Sequence, residues 1–410
     1  MFGEMRLTRK DTIIDIPSPP PGFLCGAAHC GLKRNQAKPD VAVFLCPTGA
    51  VAAGMYTTNS VRAACVDFNR GRTPAEGVGG VVVNSGNANA CTGRQGVTDN
   101  ARMAEILGEA VGFDPSHALT LSTGVIGERL PMDKLERGIR DAVQAAGADA
   151  AHLEAAARGM MTTDRTLKVA SQTAETSQGP VQLVGVAKGA GMIGPRMATM
   201  LAVIMTDARF SAATAQSLLQ SAVAKSFNCI SVEGHMSTND SAILLASGHG
   251  PAIATAADTA AIAKTLDETC LALARMIPSD GEGATHLIAV KVTGAPSDAD
   301  ADRVARTVAG SALVKTAVAG ADPNWGRIVS AAGYAGVTFD PAAVRLSING
   351  ATVFEQGAPV AFDALATSQS IRDHFETIIE LSLGSGAGAA NHFASDLTAE
   401  YVHINADYHT

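Results

Sequence analysis

Thr199 stands at the junction between a glycine-rich loop and an apolar run, within the string KGAGMIGPRMATMLAVIMTDA at residues 188–208. A threonine hydroxyl is a weak nucleophile and needs a base within hydrogen-bond reach. No His–Asp pair lies nearby in the sequence to supply that base. Cleavage after Ala198 would free the α-amine of Thr199, a group that titrates at about pH 7.7–8.0 and can act as the base. The pattern permits two interpretations, a self-activated nucleophile or a β-branched residue that opens a core strand.

The composition limits both the fold and the partners. The chain has 410 residues, 47% of them hydrophobic and 17% charged, and can bury a large core in two or three domains or two packed halves. Its formal net charge is −8, it has no block of Lys and Arg, and aromatic residues make up 4%. We expect no nucleic-acid partner, which would need a basic face and stacking side chains. With no signal-peptide core and no apolar run of about 18 residues, we expect a cytoplasmic protein without membrane contact.

Short strands and amphipathic helices must position the loop and Thr199. Apolar runs predict strands at 40–47, 50–58, 79–86, 181–189, 200–206, 242–248, 285–294 and 377–384. Apolar periodicity predicts helices at 132–147, at 212–227 after a Ser211 cap, at 262–277 and at 300–320. These elements occur in groups and show no regular βαβ alternation. Their order predicts an α+β fold, a layered α/β sandwich of two packed sheets with outer helices.

The cysteines, histidines and glycines show no pattern that would hold a metal or a cofactor. The seven cysteines are odd in number and lack CxxC spacing, and the ten histidines form no HxxxH or HxH pair. The loop at 189–194 matches neither a GxGxxG turn after a strand nor a P-loop. We therefore expect mostly buried, unpaired cysteines, no metal and no bound cofactor.

Eight blocks of sequence resemble the ornithine acetyltransferase (glutamate N-acetyltransferase) family, in family order along nearly the whole chain. In chain order they are NSGNANACTG (84–93), LSTGVIGERLP (121–131), MTTD (161–164), the string at 188–208, STND (237–240), DGEGATHLI (280–288), GADPNWGRI (320–328) and YVHINADYHT (401–410).

This resemblance implies a fold like that of N-terminal-nucleophile proteins, with αββα layers. It implies self-cleavage between Ala198 and Thr199 into chains 1–198 and 199–410, which stay associated in a heterotetramer or larger assembly. The implied reaction moves an acetyl group from N2-acetyl-L-ornithine to L-glutamate by a ping-pong mechanism through acetyl-Thr199. Whether acetyl-CoA is a second donor stays open, because family members of both kinds share these motifs.

The resemblance also implies roles for particular residues. Thr123 and Gly124 correspond to the oxyanion site, which offers a hydroxyl and a backbone N–H to the tetrahedral intermediate. A tight strand-to-helix turn would explain Gly124 as well. The implied substrate contacts are Thr162, Lys188, Thr199, Glu282, Asn405 and Thr410. A lysine suits an α-carboxylate and a glutamate suits an ammonium group, whereas the ordinary alternatives are a helix cap at Thr162 and a solvated loop carboxylate at Glu282.

Four residues depart from the family pattern, and they leave the substrate open. They are Arg165, Leu167, Arg196 and His235. One alternative is a specialised paralogue that acts on another acyl-amino acid. A second is a Thr-nucleophile amidohydrolase or aminopeptidase, in which water replaces glutamate as the acceptor. A third is a non-catalytic protein that binds amino acids.

Overall fold

The computed structural model describes residues 15–35, 37–194 and 200–407. Four residues discussed above lie outside these ranges: Arg196, Ala198, Thr199 and Thr410. The predictions made for them are therefore not tested by the structure.

The described chain forms two compact units. The large unit takes its residues from Ile14–Asn228 and Met236–Ile277, and the small unit from Cys229–His235 and Pro278–Tyr408. These units differ from the predicted chains 1–198 and 199–410, because the chains are defined by a bond that is cut and the units by packing. The chain boundary stays a prediction.

The strands range in length from 2 to 16 residues. Within the described ranges they are β1 Leu24–Ala28, β2 Val41–Tyr56, β3 Ala75–Asn87, β4 Ala118–Val125, β5 Lys168–Thr176, β6 Gly179–Lys188, β7 Leu201–Thr206, β8 Ile230–Ser231, β9 Ser241–Ala246, β10 Leu287–Ala295, β11 Arg345–Ile348, β12 Ala351–Glu355, β13 Ala358–Pro359, β14 Glu376–Ser382 and β15 Gly388–Ser395.

The helices fall between these strands in both units. Within the same ranges they are α1 Ala64–Arg70, α2 Gly93–Val111, α3 Met132–Gln144, α4 Ala150–Met160, α5 Ala212–Lys225, α6 Ala256–Ser279, α7 Asp298–Gly310, α8 Ala312–Ala319, α9 Trp325–Gly333, α10 Ala364–Asp373 and α11 Ala399–Ala406.

The large unit is built on an eight-stranded mixed sheet. Its strand order is β4-β3-β2-β9-β7-β6-β5, with β1 added on β2. Strand β7 pairs parallel to β9 and antiparallel to β6. All six residues of β7 are buried, as its unbroken apolar sequence predicts. The strand predicted at 200–206 is thus confirmed to within one residue, and it lies inside the sheet and begins two residues after Thr199.

The small unit is built on a seven-stranded mixed sheet in the order β13-β12-β11-β14-β10-β15-β8. Helix α7 packs Val304 and Val308 into the same core as Ile288 and Val290 of β10. Each unit therefore combines a mixed sheet with packed helices, and the predicted α+β class is confirmed.

Two predicted boundaries were wrong for local reasons. The strands predicted at 40–47 and 50–58 are one strand, β2, whose register shifts between Leu45 and Ala50. Pro47 has no N–H to donate and Gly49 has a φ of +86°, so the pairing is interrupted while the strand continues. The helix predicted at 300–320 is two helices, α7 and α8. They meet at Ser311, whose extended backbone ends the first helix while its side chain caps the second by accepting from the Val314 N–H.

The end of β4 approaches β3 closely, and only glycine fits there. Gly124 pairs with Gly86 in parallel register and has a φ of +135°. A Cβ atom at position 124 would lie 2.2 Å from the carbonyl carbon of Gly86. Gly127 also has a positive φ, +87°, but a Cβ atom there would meet nothing within 4 Å. Gly124 is therefore required by contact as well as by backbone conformation.

We expect Gly124→Ala to destabilise the protein much more than Gly127→Ala. The second substitution adds only the cost of the left-handed backbone, about 1–2 kcal/mol. The first substitution adds to this cost about 1–3 kcal/mol for overpacking against the backbone of β3, for a total loss of roughly 2–5 kcal/mol. Urea unfolding followed by circular dichroism measures both. Equal losses in the two variants would show that β3 and β4 do not meet this closely.

Candidate functional site

Lys188 and Thr123 are brought together although their strands are far apart in the sheet. Lys188 ends β6, Thr123 lies in β4, and the sheet order places β3, β2, β9 and β7 between them. Five steps between strands would separate them by about 24 Å in a flat sheet. The Lys188 Nζ nevertheless donates to the Thr123 Oγ1 at 3.3 Å. The sheet must therefore curve strongly, and this curvature joins two of the predicted site residues.

A buried carboxylate, Asp164, fixes this lysine. It follows α4 in the chain, and its Oδ1 accepts from the Lys168 Nζ at 2.7 Å and from the Gly189 N–H at 2.6 Å. Its Oδ2 accepts from the Thr162 N–H at 3.0 Å and lies 4.0 Å from the Lys188 Nζ. A third predicted residue, Thr162, is thus tied through its backbone to the same carboxylate. We call this set the Asp164 cluster: Thr123, Thr162, Asp164, Lys168 and Lys188.

The charges of the Asp164 cluster favour an anionic ligand. Burial alone would raise the pKa of Asp164, but the attraction of Lys168 and Lys188, with hydrogen bonds from Lys168 and Gly189, holds it well below its usual range. The carboxylate therefore stays charged beside two buried ammonium groups. Lys188 also contacts the hydroxyl of Thr123, and an ammonium group in this position suits an anionic group of a ligand.

Thr123 keeps the capacity that an oxyanion site needs. Its oxygen accepts from the ammonium group of Lys188, and its own O–H has no acceptor among the described residues. A hydroxyl used in this way still has its hydrogen to donate to a developing oxyanion, and the adjacent cation strengthens that donation. Thr123 and Gly124 are among the last three residues of β4. They therefore lie at the end of a strand and not in a turn between a strand and a helix.

Met200, the residue that follows Thr199, is held by a second buried carboxyl group. Its N–H donates to the Asp240 Oδ1 at 3.0 Å. Asp240 is fully buried, and burial raises its pKa well above the ordinary value although the Met200 N–H and the charge of Lys188 act in the opposite direction. Its second oxygen, Oδ2, has no hydrogen-bond partner in the described part of the chain. Burial therefore favours the protonated form of Asp240, which lies beside the start of β7.

The small unit brings together the predicted residues Glu282 and Asn405. The Asn405 Nδ2 donates to the Glu282 Oε2 at 3.0 Å. Helix α11 packs on the neighbouring Gly283, where a Cβ atom would lie 2.5 Å from the Tyr401 N, and the Thr398 Oγ1 donates to the Gly283 carbonyl at 2.7 Å. The C-terminal segment is therefore folded onto the loop that carries Glu282, and Glu282 is not an isolated loop carboxylate.

A second acidic residue near Glu282 was not anticipated. The pKa of Glu233 is raised to about 7, mainly by burial and to a smaller extent by the charge of Glu282, while backbone hydrogen bonds and the charge of Lys315 act in the opposite direction. Burial lowers the pKa of Lys315 to about 8, and its Nζ donates to the Val232 carbonyl. His235, one of the departures from the family pattern, is exposed and donates its N–H to the Glu233 Oε1 at 3.3 Å. Two carboxyl groups on one surface suit a cationic group of the ligand.

The most important residues that sequence reasoning missed are Asp164, Lys168 and Asp240. The two aspartates belong to the sequence blocks MTTD and STND, but the family resemblance assigned no role to either of them. For Asp240 the usable signal was the apolar strand predicted at 242–248 directly after it, where a buried charge needs a partner. Asp164 has no predicted strand beside it in the sequence.

We expect Asp164→Asn to lower the free energy of unfolding by about 3–5 kcal/mol, because two ammonium groups would stay buried without their carboxylate. The folded-state pKa of Asp164 is depressed, so its contribution is complete above the unfolded value of about 4 and is lost as the pH falls further. Urea unfolding at several pH values should show a constant difference from wild type between about pH 5 and 8 that shrinks only below about pH 4.

The control for this change is Glu154→Gln, which breaks the exposed pair between Glu154 and Arg158. It should cost less than about 1 kcal/mol. An Asp164→Asn variant no less stable than this control would contradict the charge balance described above.

The described ranges contain neither a metal-binding group of side chains nor a membrane-spanning helix. No three His, Cys, Asp or Glu side chains are grouped there as a metal would require. None of the helices in these ranges has both the length and the apolar sequence needed to cross a membrane. All seven cysteines are free, and four of them are buried.

The sequence is similar to known proteins over nearly its whole length. The ArgJ family model matches residues 24–410. The relative from Symbiobacterium thermophilum, an arginine biosynthesis bifunctional protein ArgJ, is 44% identical over 399 residues, covering 95% of this chain and 98% of that protein. The protein of the same name from Rhodopirellula baltica is 42% identical over 395 residues, covering 95% and 96%. A crystal structure of ArgJ from Bacillus halodurans is 38% identical with a TM-score of 0.49, covering 50% of this chain and 98% of that one.

These similarities confirm the resemblance read from the eight sequence blocks. They also confirm the predicted class, an enzyme of arginine biosynthesis. The chain belongs to the ArgJ family.

Proposed function

We propose that this protein is a self-processing acetyltransferase that moves an acetyl group from N2-acetyl-L-ornithine to L-glutamate through an acetyl ester on Thr199. Acetyl-CoA is the second donor that we propose, and the name "bifunctional" carried by the relatives supports it. The single observation that carries the proposal is the Asp164 cluster, in which one buried lysine contacts the oxyanion-site hydroxyl of Thr123 and faces Asp164.

The chemistry follows from the groups that the chain supplies. The Thr199 hydroxyl attacks the acetyl carbonyl while its α-amine takes the proton. The tetrahedral oxyanion is stabilised by the Thr123 hydroxyl and the Gly124 N–H. The bond to the ornithine nitrogen then breaks, that nitrogen receives the proton, and the acetyl group remains as an ester on Thr199. The amine of glutamate attacks this ester and restores the free hydroxyl.

Two of the proposed substrate contacts carry the charges that the donor requires. N-acetylornithine has one carboxylate and one side-chain ammonium group. Lys188 suits the carboxylate, and Glu282 with Asn405 suits the ammonium group. Thr162 and Thr410 are the further substrate contacts that we propose. Glutamate shares the carboxylate that we assign to Lys188.

The sheet explains why the two proposed chains would stay together after cleavage between Ala198 and Thr199. Strands β7 and β9 belong to chain 199–410, yet they lie between β2 and β6 of chain 1–198 in one hydrogen-bonded sheet. Separating the chains would break two rows of backbone hydrogen bonds and expose a buried core. We propose that such pairs of chains assemble further into a heterotetramer or a larger oligomer.

The test is Thr199→Ala, with Thr199→Ser as the matched control. We expect the alanine variant to run as one uncut chain on a denaturing gel and to transfer no acetyl group from labelled N-acetylornithine to glutamate, because it lacks the nucleophile. The serine variant keeps a hydroxyl and should give both fragments and measurable transfer.

Other outcomes separate the alternatives. Normal fragments from Thr199→Ala would contradict self-cleavage by this residue. Wild-type enzyme that releases acetate at the same rate with and without glutamate would be a hydrolase. Transfer to an acceptor other than glutamate would identify a specialised paralogue.

A further inference from the structure

Strand β4 lies at one end of the strand order in the sheet of the large unit. Among the described strands it pairs with β3, so its other edge is open. An edge strand presents a row of backbone N–H and C=O groups that have no partner in the sheet. Such groups need partners from elsewhere when they are buried. Two buried asparagine side chains bind backbone groups of β4 from outside the ladder.

The first of these side chains is Asn69 of helix α1. Its Nδ2 donates to the Thr120 carbonyl at 2.6 Å, and its Oδ1 accepts from the Thr120 N–H at 3.1 Å. The Val125 carbonyl, five residues later, accepts from the Ala88 N–H that follows β3. The direction of these groups alternates along a strand, so Gly124 points to the same side as Thr120 and its N–H lies outside the ladder with β3.

The second side chain is Asn239, in the sequence block STND at the start of β9. It is 3% exposed, and its Nδ2 donates to the carbonyls of Ser122 and Ala88, each at 2.7 Å. The Ser122 carbonyl belongs to the peptide bond that leads to Thr123. The Ser122 side chain has a separate partner, the Asn84 Oδ1. Asn239 therefore holds the backbone directly before Thr123 and joins it to the segment after β3.

Asn239 is itself held in one orientation. Its Oδ1 accepts from the Thr238 hydroxyl, and its backbone N–H donates to the Ser237 Oγ at 3.1 Å. The Ser237 carbonyl accepts from the Thr57 Oγ1 at 3.0 Å, and the Thr238 carbonyl accepts from the Ala63 N–H at 2.9 Å. A side chain fixed in this way can fix the groups that it binds.

We propose that Asn239 is a positioning residue of the oxyanion site, which fixes the backbone that presents the Thr123 hydroxyl and the Gly124 N–H. This inference rests on the proposed function, because it takes these two groups as the oxyanion donors. Asn239 acts through the Ser122 carbonyl and contacts no reacting atom. It belongs to the proposed chain 199–410, so one chain would position the oxyanion site of the other.

The position of these donors decides how much they contribute. Donors stabilise an oxyanion only when they are already aimed at the place where its charge develops. Gly124 has a φ of +135°, and glycine has more conformational freedom than any other residue. The end of β4 therefore needs contacts that restrain it. A displacement of about 1 Å can lower a catalytic rate by about 100-fold.

The test is the steady-state kinetics of Asn239→Ala, with N-acetylornithine and glutamate varied separately. We expect kcat to fall by about 10- to 100-fold, because the donors are no longer held in place. We expect the KM for each substrate to stay within about 3-fold of the wild-type value, since the proposed substrate contacts are untouched. This split identifies a loss that is confined to the transition state.

Asn69→Ala is the matched control. It also removes two hydrogen bonds of a fully buried amide, and it acts on the same strand two residues before Ser122. Urea unfolding should show that both variants are less stable than wild type. We expect Asn69→Ala to keep kcat within about 2-fold of wild type, because Thr120 precedes the part of β4 that carries the donors.

Wild-type kcat in Asn239→Ala would overturn the inference, and so would an equal loss of kcat in Asn69→Ala. If Asn239→Ala does not fold, Asn239→Asp replaces it. This side chain has the same shape but at most one hydrogen to donate, so it cannot bind both carbonyls. The same loss of kcat is expected, and wild-type kcat would again overturn the inference. A wild-type protein that transfers no acetyl group would contradict the proposed function and this inference with it.

Discussion

The large unit depends on one electrostatic constraint: the buried carboxylate of Asp164 must neutralise buried ammonium groups. Lys168 and Lys188 are 1% and 2% exposed, and each would be too costly to bury without a counter-charge. Asp164 can lie beside both ammonium groups only if the loop after α4 packs onto the ends of β5 and β6. The same arrangement directs Lys188 towards Thr123 across the curved sheet. The placement of the predicted oxyanion hydroxyl is thus a consequence of a charge balance in the core.

The carboxyl groups of the two units differ in their surroundings. In the large unit, Asp164 lies beside the ammonium groups of Lys168 and Lys188, which hold its pKa below the ordinary value against the effect of burial. In the small unit, burial raises the pKa of Glu233 to about 7. Asp240, in the large unit, is fully buried, and burial raises its pKa well above the ordinary value. Three carboxyl environments on one chain therefore have three protonation behaviours, each set by its neighbours.

The sequence predicted the elements with simple periodicity and the residues covered by the family resemblance. Strand β7 and the Ser211 cap of α5 were correct, because an unbroken apolar run and a capping side chain are local signals. The break at Ser311 was not visible, since Val304, Val308 and Val314 keep near-helical spacing across it. Asp164 and Asp240 were not assigned roles, because their contacts with Gly189 and Met200 join residues 25 and 40 positions apart, and no local pattern encodes such contacts.

The central claim, that Thr199 carries the acetyl group on a chain cut before it, is tested most directly by intact mass. Wild-type protein is incubated with N-acetylornithine in the absence of glutamate, quenched in acid and analysed by intact-mass spectrometry. The account predicts two fragments, 1–198 unchanged and 199–410 heavier by one acetyl group, which glutamate then removes. An uncut chain, an acetyl group on fragment 1–198, or no acetylated species before glutamate is added would contradict it.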